Sequence, residues 1–447
     1  MIKVVKFGGS SVASATQFKK VKNIIDSDKD RMFIITSACG KSDDEDHKVT
    51  DLLYLCHAHI KYGVPYDDLF NMIYNKYMGI KKELNLKVNL EKEFDIIREL
   101  MDKEVGVDYL VSRGEYLTAI CLAEYLDAQF IDASEVISFN YSGEVNFERS
   151  GELLKNKIKK GKKVVIPGFY GALPNGTIKV MSRGGSDISG SILANIVNAD
   201  VYENWTDVSG LLIADPRIVK NPKTIDYITY SELRELSYMG ANVLHDEAIF
   251  PVREKNIPIN IRNTNKPDHP GTMILSDCSK QDAIKPPHFI TGISGKKNFS
   301  VITLNKPQIS SEVGALRKTL QVFEDFNVSI ESVPVGVDSF SVVVSTEGIE
   351  KVIYEVISKL KKDLDCDNIT VIDKIALIAV VGRGMKNKPG MSGLLFGELG
   401  AHNINIRIIN QAADEIDIII GVENKDFEKT IRCIYDRFIT RSDTLWE

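Results

Sequence analysis

Lys6-Phe7-Gly8-Gly9-Ser10-Ser11 follows an apolar strand pattern, Ile2 to Phe7, at the start of the chain. Two glycines let backbone N–H groups approach phosphate oxygens, and Lys6 brings a cation to the same place. Ser182-Arg183-Gly184-Gly185-Ser186-Asp187 stands ahead of a helical pattern and supplies a second set of N–H groups, a cation and hydroxyls. Trp205-Thr206-Asp207-Val208 closes a further strand pattern, and Asp215-Pro216-Arg217 comes after it. Ligands of open α/β sheets bind at the carboxyl ends of strands. These residue types suit phosphoryl transfer, which asks for charge neutralisation and alignment more than for covalent help from the protein. The Walker A pattern is absent, so a P-loop fold is not implied.

The Lys-x-Gly-Gly-Ser start, the Arg-Gly-Gly-Ser-Asp segment and the Thr-Asp-Val … Asp-Pro-Arg run resemble the aspartokinases of the amino acid kinase superfamily. The resemblance covers nearly the whole chain. It implies ATP- and magnesium-dependent phosphorylation of the L-aspartate β-carboxylate, the first step toward lysine, threonine and methionine. It places Lys6, Gly8, Gly9 and Ser10 at the phosphates, Thr206 and Asp207 near the nucleotide, and Arg217 near its phosphates. The chain departs from the family twice. Leu212 stands where members often have tyrosine, and Gly240-Ala241-Asn242-Val243-Leu244-His245-Asp246 carries Asn242 where they have a lysine that contacts ATP. Asn242 keeps a hydrogen-bond donor and loses the charge.

An amino acid substrate presents an ammonium and a carboxylate. The planar fork of Arg183 suits the carboxylate. By the same resemblance Glu115, in Ser112-Arg113-Gly114-Glu115, suits the ammonium, and Ser37, Thr50 and Ser186 join the substrate site. An aspartate side chain, with a reference pKa of ~3.9, is ionised at neutral pH and needs no general base. Asp187 is therefore expected to organise Lys6, metal or substrate, and Lys6 to offset the charge that grows between acceptor and γ-phosphate. The acyl phosphate product hydrolyses readily, so water exclusion helps. The acidic run Ser42 to His47 reads as a solvated turn or as a lid over the site.

Around these motifs, strand and helix patterns alternate over the first two-thirds of the 447 residues, which argues for an α/β sheet. Met32 to Thr36, Lys163 to Ile166, Val201 to Trp205 and Ile257 to Ile261 are strand candidates, and Leu52 to Leu126 is mostly helical. With the resemblance, this implies an amino acid kinase-type three-layer open sheet over residues 1–285, and then two ferredoxin-like βαββαβ repeats, 286–372 and 373–447, are expected. The net charge of −6 leaves no basic footprint for nucleic acid. Six scattered cysteines, without a C-x-x-C pair, argue against a metal cluster or a disulfide framework and for a reducing compartment. No apolar run approaches the ~18 residues of a membrane span. A cytoplasmic protein that binds neither nucleic acid nor membrane is expected.

The last third repeats itself at an offset of 76, which lays Gly314 on Gly390 and Asn327-Val328-Ser329-Ile330 on Asn403-Ile404-Asn405-Ile406. Each asparagine follows a helix and tolerates the left-handed cap conformation. The repeats resemble ACT domains, which implies amino acid binding and feedback. Ser311, Gly314, Ala315, Leu316, Glu331, Asp338 and Ser339 are the expected effector positions. Lysine is the first choice of inhibitor, alone or with threonine. Exposed sheet edges imply a homodimer or tetramer built through the repeats. Two alternatives stay open: a kinase for another amino acid, and a catalytically weak amino acid sensor.

Overall fold

A computed structural model describes residues 1–43, 46–182, 184–241, 244, 246–284, 288–366 and 368–441, with the backbone alone for Asp246. Contacts divide the chain into two compact units. One is Met1–Leu211, Thr224–Tyr230 and Asn242–Ser279, and the other is Leu212–Lys223, Ser231–Ala241 and Lys280–Glu447.

Largely continuous burial marks several strands of the first unit, as parallel strands covered on both faces require. Val4, Val5 and Phe7 of β1 (Lys3–Phe7) and Ile34 and Ile35 of β2 (Arg31–Thr36) are buried. Then come β3 (Gln129–Phe130), β4 (Val164–Pro167), β5 (Tyr170–Ala172), β6 (Ile178–Val180), β7 (Val201–Thr206), β8 (Tyr227–Thr229), β9 (Ile259–Asn263) and β10 (Thr272–Leu275). Among the described residues eight of these form one sheet in the order β3-β4-β2-β1-β7-β9-β10-β8, while β5 and β6 make a small antiparallel ribbon. Neighbours in the large sheet are parallel except β9 with β10. Strand β9 starts two residues later than the apolar pattern suggests. Pro258 has no N–H for the ladder, although its carbonyl accepts the Tyr202 N–H at 2.9 Å.

The helix α1 (Ala15–Asp26) buries Phe18, Val21, Ile24 and Ile25. It does not follow the glycines directly. Residues Gly9–Val12 form one 3₁₀ turn, and α1 restarts behind Ser14, whose hydroxyl accepts the Gln17 N–H. Next are α2 (Val49–Lys61), α3 (Asp67–Leu84), α4 (Leu90–Met101), α5 (Val107–Tyr125), α6 (Phe147–Lys157) and α7 (Gly185–Ile196). Helix α5 lies against β2 and β4, and α7 against β1 and β7. Both are buried over most of their circumference, Glu115 and Ser186 included.

In the second unit, β11 (Gly292–Asn305), β12 (Ile330–Ser332), β13 (Ser339–Ser345), β14 (Asn368–Val381), β15 (Ile408–Asn410) and β16 (Asp417–Glu423) form an antiparallel sheet in the order β12-β13-β11-β14-β16-β15. The two long central strands serve both repeats. Residues 299–305 of β11 pair with β13, whereas residues 292–296 pair with 377–381 of β14. The second half-sheet is thus completed by residues from the start of the first repeat. Asn327 and Asn403 have φ of 54° and 52° and end their helices in the left-handed conformation.

Candidate active site

Lys6 on β1 stands opposite Asn204 on the parallel neighbour β7, and β2 flanks β1 on the other side. The loops leaving these strands tie to one another through backbone bonds. The Gly8 N–H donates to the Trp205 carbonyl at 2.9 Å, the Ser37 N–H to Phe7 at 3.1 Å and the Gly168 N–H to Thr36 at 2.9 Å. The Gly40 N–H donates to the Gly9 carbonyl at 2.9 Å, and a Cβ on Gly40 would come within 2.6 Å of the Gly9 carbonyl carbon. The phosphate-type loop therefore packs glycine on glycine, which only residues without a side chain permit.

A cavity of about 1230 Å³ opens over these strand ends. Lys6, Gly8, Gly9 and Ser10 line one part of it, together with Thr206 and Asp207 at the end of β7. Ser37 after β2, Thr50 in the first turn of α2 and Glu115 on α5 line another part. Ser186 and Asp187, at the N-terminus of α7, complete the wall. Gly184, at φ 81°, makes the sharp entry into that helix.

The Lys6 Nζ lies 2.5 Å from Asp187 Oδ1. Gly8 has its Cα beside that ammonium, a Cβ there meeting Nζ at 3.6 Å. The cation is thus held between the glycine loop and α7. Glu115 is only 4% exposed, and its Oε2 has no hydrogen-bond partner among the described residues. Burial pushes its carboxyl up to about 8, against the lowering effect of the Ala38 backbone hydrogen bond. A buried carboxyl of this kind gains a great deal from a ligand ammonium.

Arg183 and Asn242 lie outside the described residues. Arg217 sits in Leu212–Lys223, a segment of the second unit, with its guanidinium turned back on Asp215: Nε lies 3.0 Å from both carboxylate oxygens and Nη2 2.5 Å from Oδ2. The effector positions all fall in the second unit. Gly314, at φ 85°, caps the helix Ala315–Asp325, on which Ala315 is buried and Leu316 exposed. Ser311 ends the 3₁₀ turn Ile309–Ser311, and Ser339 opens β13. Asp338 accepts the Gln308 N–H at 2.7 Å, and Glu331 on β12 accepts the hydroxyl of Tyr238 at 2.5 Å.

Sequence reading missed three features of the cavity wall. Phe169 lines it at φ 77°, with its N–H held by Ser189 Oγ at 2.8 Å and its carbonyl by the Met181 N–H at 2.7 Å. A bulky residue in the left-handed region has no signature in a single sequence. Lys41 and Lys48 also line the cavity. Their signal was present, since they bracket the acidic run. Lys76 ties that run down: its Nζ reaches the Gly40 carbonyl at 2.6 Å and Asp46 Oδ2 at 2.5 Å. This pairing holds the Asp46 carboxyl far below the usual range despite partial burial.

The amino acid kinase family matches residues 1–263, and the ACT domain matches residues 378–438. Aspartokinase 3 of Bacillus subtilis (strain 168) is 34% identical, over 98% of this chain and 98% of its own. The aspartate kinase of Clostridium acetobutylicum, an allosteric enzyme, is 50% identical over 98% of this chain and 99% of its own, with a TM-score of 0.89. Aspartokinase III of E. coli shares the fold, both with aspartate and ADP (TM-score 0.74, 23% identity) and with lysine and aspartate (0.75, 24%).

Proposed function

The chain belongs to the amino acid kinase family, among the aspartokinases, and from that premise we propose how its residues work. The activity is ATP-dependent phosphorylation of the L-aspartate β-carboxylate to 4-phospho-L-aspartate, which opens the route to lysine, threonine and methionine. The observation that carries the assignment of roles is the Lys6–Asp187 pair beside the glycine loop, in one cavity with Glu115.

The nucleotide lies along Gly8, Gly9 and Ser10, whose N–H groups and hydroxyl meet phosphate oxygens, with Thr206 and Asp207 near the nucleoside end. Aspartate enters with its ammonium on Glu115 and its α-carboxylate on Arg183 and the N-terminus of α7, next to Ser186. Thr50 and Ser37 hold its flank. The β-carboxylate, already ionised, attacks the γ-phosphorus while the bond to the ADP oxygen breaks, and no proton need move. Lys6 neutralises charge building on the transferring group, and Asp187 fixes Lys6. Asp187 Oδ2 makes no hydrogen bond to protein among the described residues, so this wall offers an oxygen of the kind magnesium takes. Magnesium supplies charge neutralisation at the phosphates when bound.

Regulation follows from the second unit. Lysine, alone or with threonine, binds among Ser311–Leu316, Glu331 and Asp338–Ser339 and favours an inactive arrangement. Sheet edges at β12 and β15 favour assembly into a homodimer or tetramer through this unit. No helix among the described residues is long and apolar enough to cross a membrane. The six cysteines are free thiols, which supports a reducing, cytoplasmic location. A coupled ADP-release assay with aspartate, and glutamate as control, tests the substrate. Arg183→Ala tests the carboxylate contact: the aspartate KM rises strongly, and an unchanged KM removes Arg183 from the site.

A further inference from the structure

Asn204 is 3% exposed and does not line the cavity, yet it reaches the reacting machinery through one bond. Its Nδ2 donates to Asp187 Oδ1 at 2.9 Å, the same oxygen that holds Lys6 Nζ at 2.5 Å. Since Asp187 is the acceptor, the amide nitrogen must face it, which fixes the orientation of the amide. The other end of the amide gains nothing: Asn204 Oδ1 is buried with no partner among the described residues. A half-satisfied buried amide is unfavourable for the fold compared with an apolar side chain of the same shape. Its location therefore points to work for Asp187 and not to stability. Two residues earlier on the same strand face, the Tyr202 hydroxyl donates to the Asp187 backbone carbonyl at 3.1 Å. Gly190 leaves the room this ring needs, because a Cβ there would meet the Tyr202 oxygen at 2.5 Å. Strand β7 thus grips the first turn of α7 at two points, one on the backbone and one on the carboxylate.

We propose that Asn204 is the positioning residue that sets the rotamer of Asp187, and through it the place of the Lys6 ammonium over the phosphate loop. Two donors on Oδ1 hold that oxygen toward the sheet and leave Oδ2 to the cavity. With the amide gone, the carboxylate is free to turn about its χ2 and Lys6 follows it. Alignment, not binding, then suffers.

This inference rests on the proposed roles of Lys6 and Asp187, and the variants separate the two. Asn204→Leu removes both ends of the amide at similar volume. We expect kcat to fall about 10- to 100-fold, with the aspartate KM within about twofold and with thermal stability kept or raised. Asn204→Asp provides a readout that a structural role does not move. Its protonated carboxyl can donate to Asp187 Oδ1 as the amide does, while its ionised form repels it, and adjacent carboxyls share a proton up to raised pH. Activity of this variant should therefore fall as pH rises across a range where the wild type holds steady. Wild-type kcat in Asn204→Leu, a lowered melting temperature as its sole defect, or misfolding of both variants would overturn the positioning role. If Lys6→Ala and Asp187→Asn also keep normal kcat, the reading beneath it falls instead.

Discussion

Tyr238 donates its hydroxyl to Glu331 at 2.5 Å, joining a residue just ahead of Gly240-Ala241-Asn242 to the carboxylate expected to receive an effector's ammonium. Both belong to the second unit. The bond and burial push the Tyr238 hydroxyl up to about 12, so it stays a donor throughout the working range. An effector ammonium at Glu331 competes with this hydroxyl for lone pairs. Tyr238→Phe leaves the carboxylate without that donor and should favour the effector, lowering the lysine concentration for half-inhibition about fivefold or more. Glu331→Ala should abolish the response. Lysine titrations of the two variants against wild type check both statements, and an unaltered response in each would exclude Glu331 from the effector site.

The buried Glu115 carboxyl gives a pH dependence with a definite sign. Its value of about 8 means that the free enzyme holds it protonated at neutral pH. The substrate ammonium needs the carboxylate, so aspartate binding expels a proton. Below about 8, kcat/KM for aspartate should climb with pH, approaching about tenfold per pH unit, and then level off. Glu115→Gln should remove this limb and raise the aspartate KM about tenfold or more, as a charged hydrogen bond is lost. A pH-independent kcat/KM in wild type between pH 6 and pH 9 would contradict the burial argument.

Much of this site was legible because its parts are local. Lys6, Gly8 and Gly9 announce themselves within four residues, and Ser186 and Asp187 within a helix start. The offset of 76 picked out Gly314, whereas Glu331 came from the resemblance to ACT domains and not from spacing. What stayed hidden depends on contacts across long separations or on backbone torsion. Tyr238 meets Glu331 over 93 residues. Asn204 reads as one more strand residue until Lys6, beside it on β1, and Asn204 are both seen to meet Asp187 of α7. Gly40 looks like a turn glycine until Gly9 occupies the space of its missing Cβ. Phe169 bears no mark of its positive φ in sequence, since the partners that hold its N–H and carbonyl, Ser189 and Met181, lie 20 and 12 residues away.

Asp417, at the start of β16, is 6% exposed, and burial together with the nearby charges of Glu235 and Asp414 raises its carboxyl to about 6. The folded state thus holds a proton that the unfolded state, with an ordinary value of 3.8, gives up earlier. The associated stability is complete below that ordinary value and is lost as pH rises through about 6. At pH 7.5 the ionised group is a liability, and Asp417→Asn should raise the melting temperature by about 2 °C or more. Near pH 5, where the wild type is still largely protonated, the advantage should shrink. Melting curves at the two pH values decide the point, and an equal gain at both would show that charge is not the cause.

Asn242 tests the departure from the family. The resemblance implies a lysine at this position that contacts ATP, and an amide there attracts phosphate less because it carries no charge. Arg217 is a second cation of the motif set, and one that could carry the missing charge. Its guanidinium, however, is 88% exposed and doubly bonded to Asp215. An exposed ion pair of this kind is readily broken, but while it lasts the charge of Arg217 is offset by a carboxylate. Asn242→Lys should lower the ATP KM while leaving the aspartate KM in place, and the gain should shrink as ionic strength rises, because screening weakens a point charge on phosphate. Initial rates across ATP concentrations, at low and high salt, measure both effects. An unchanged or higher ATP KM means either that Asn242 does not occupy the lysine's place or that another cation already does. Repeating the titration in Arg217→Ala tells these apart. If Arg217 has taken over, its loss raises the ATP KM in the wild-type background, and Asn242→Lys then restores it.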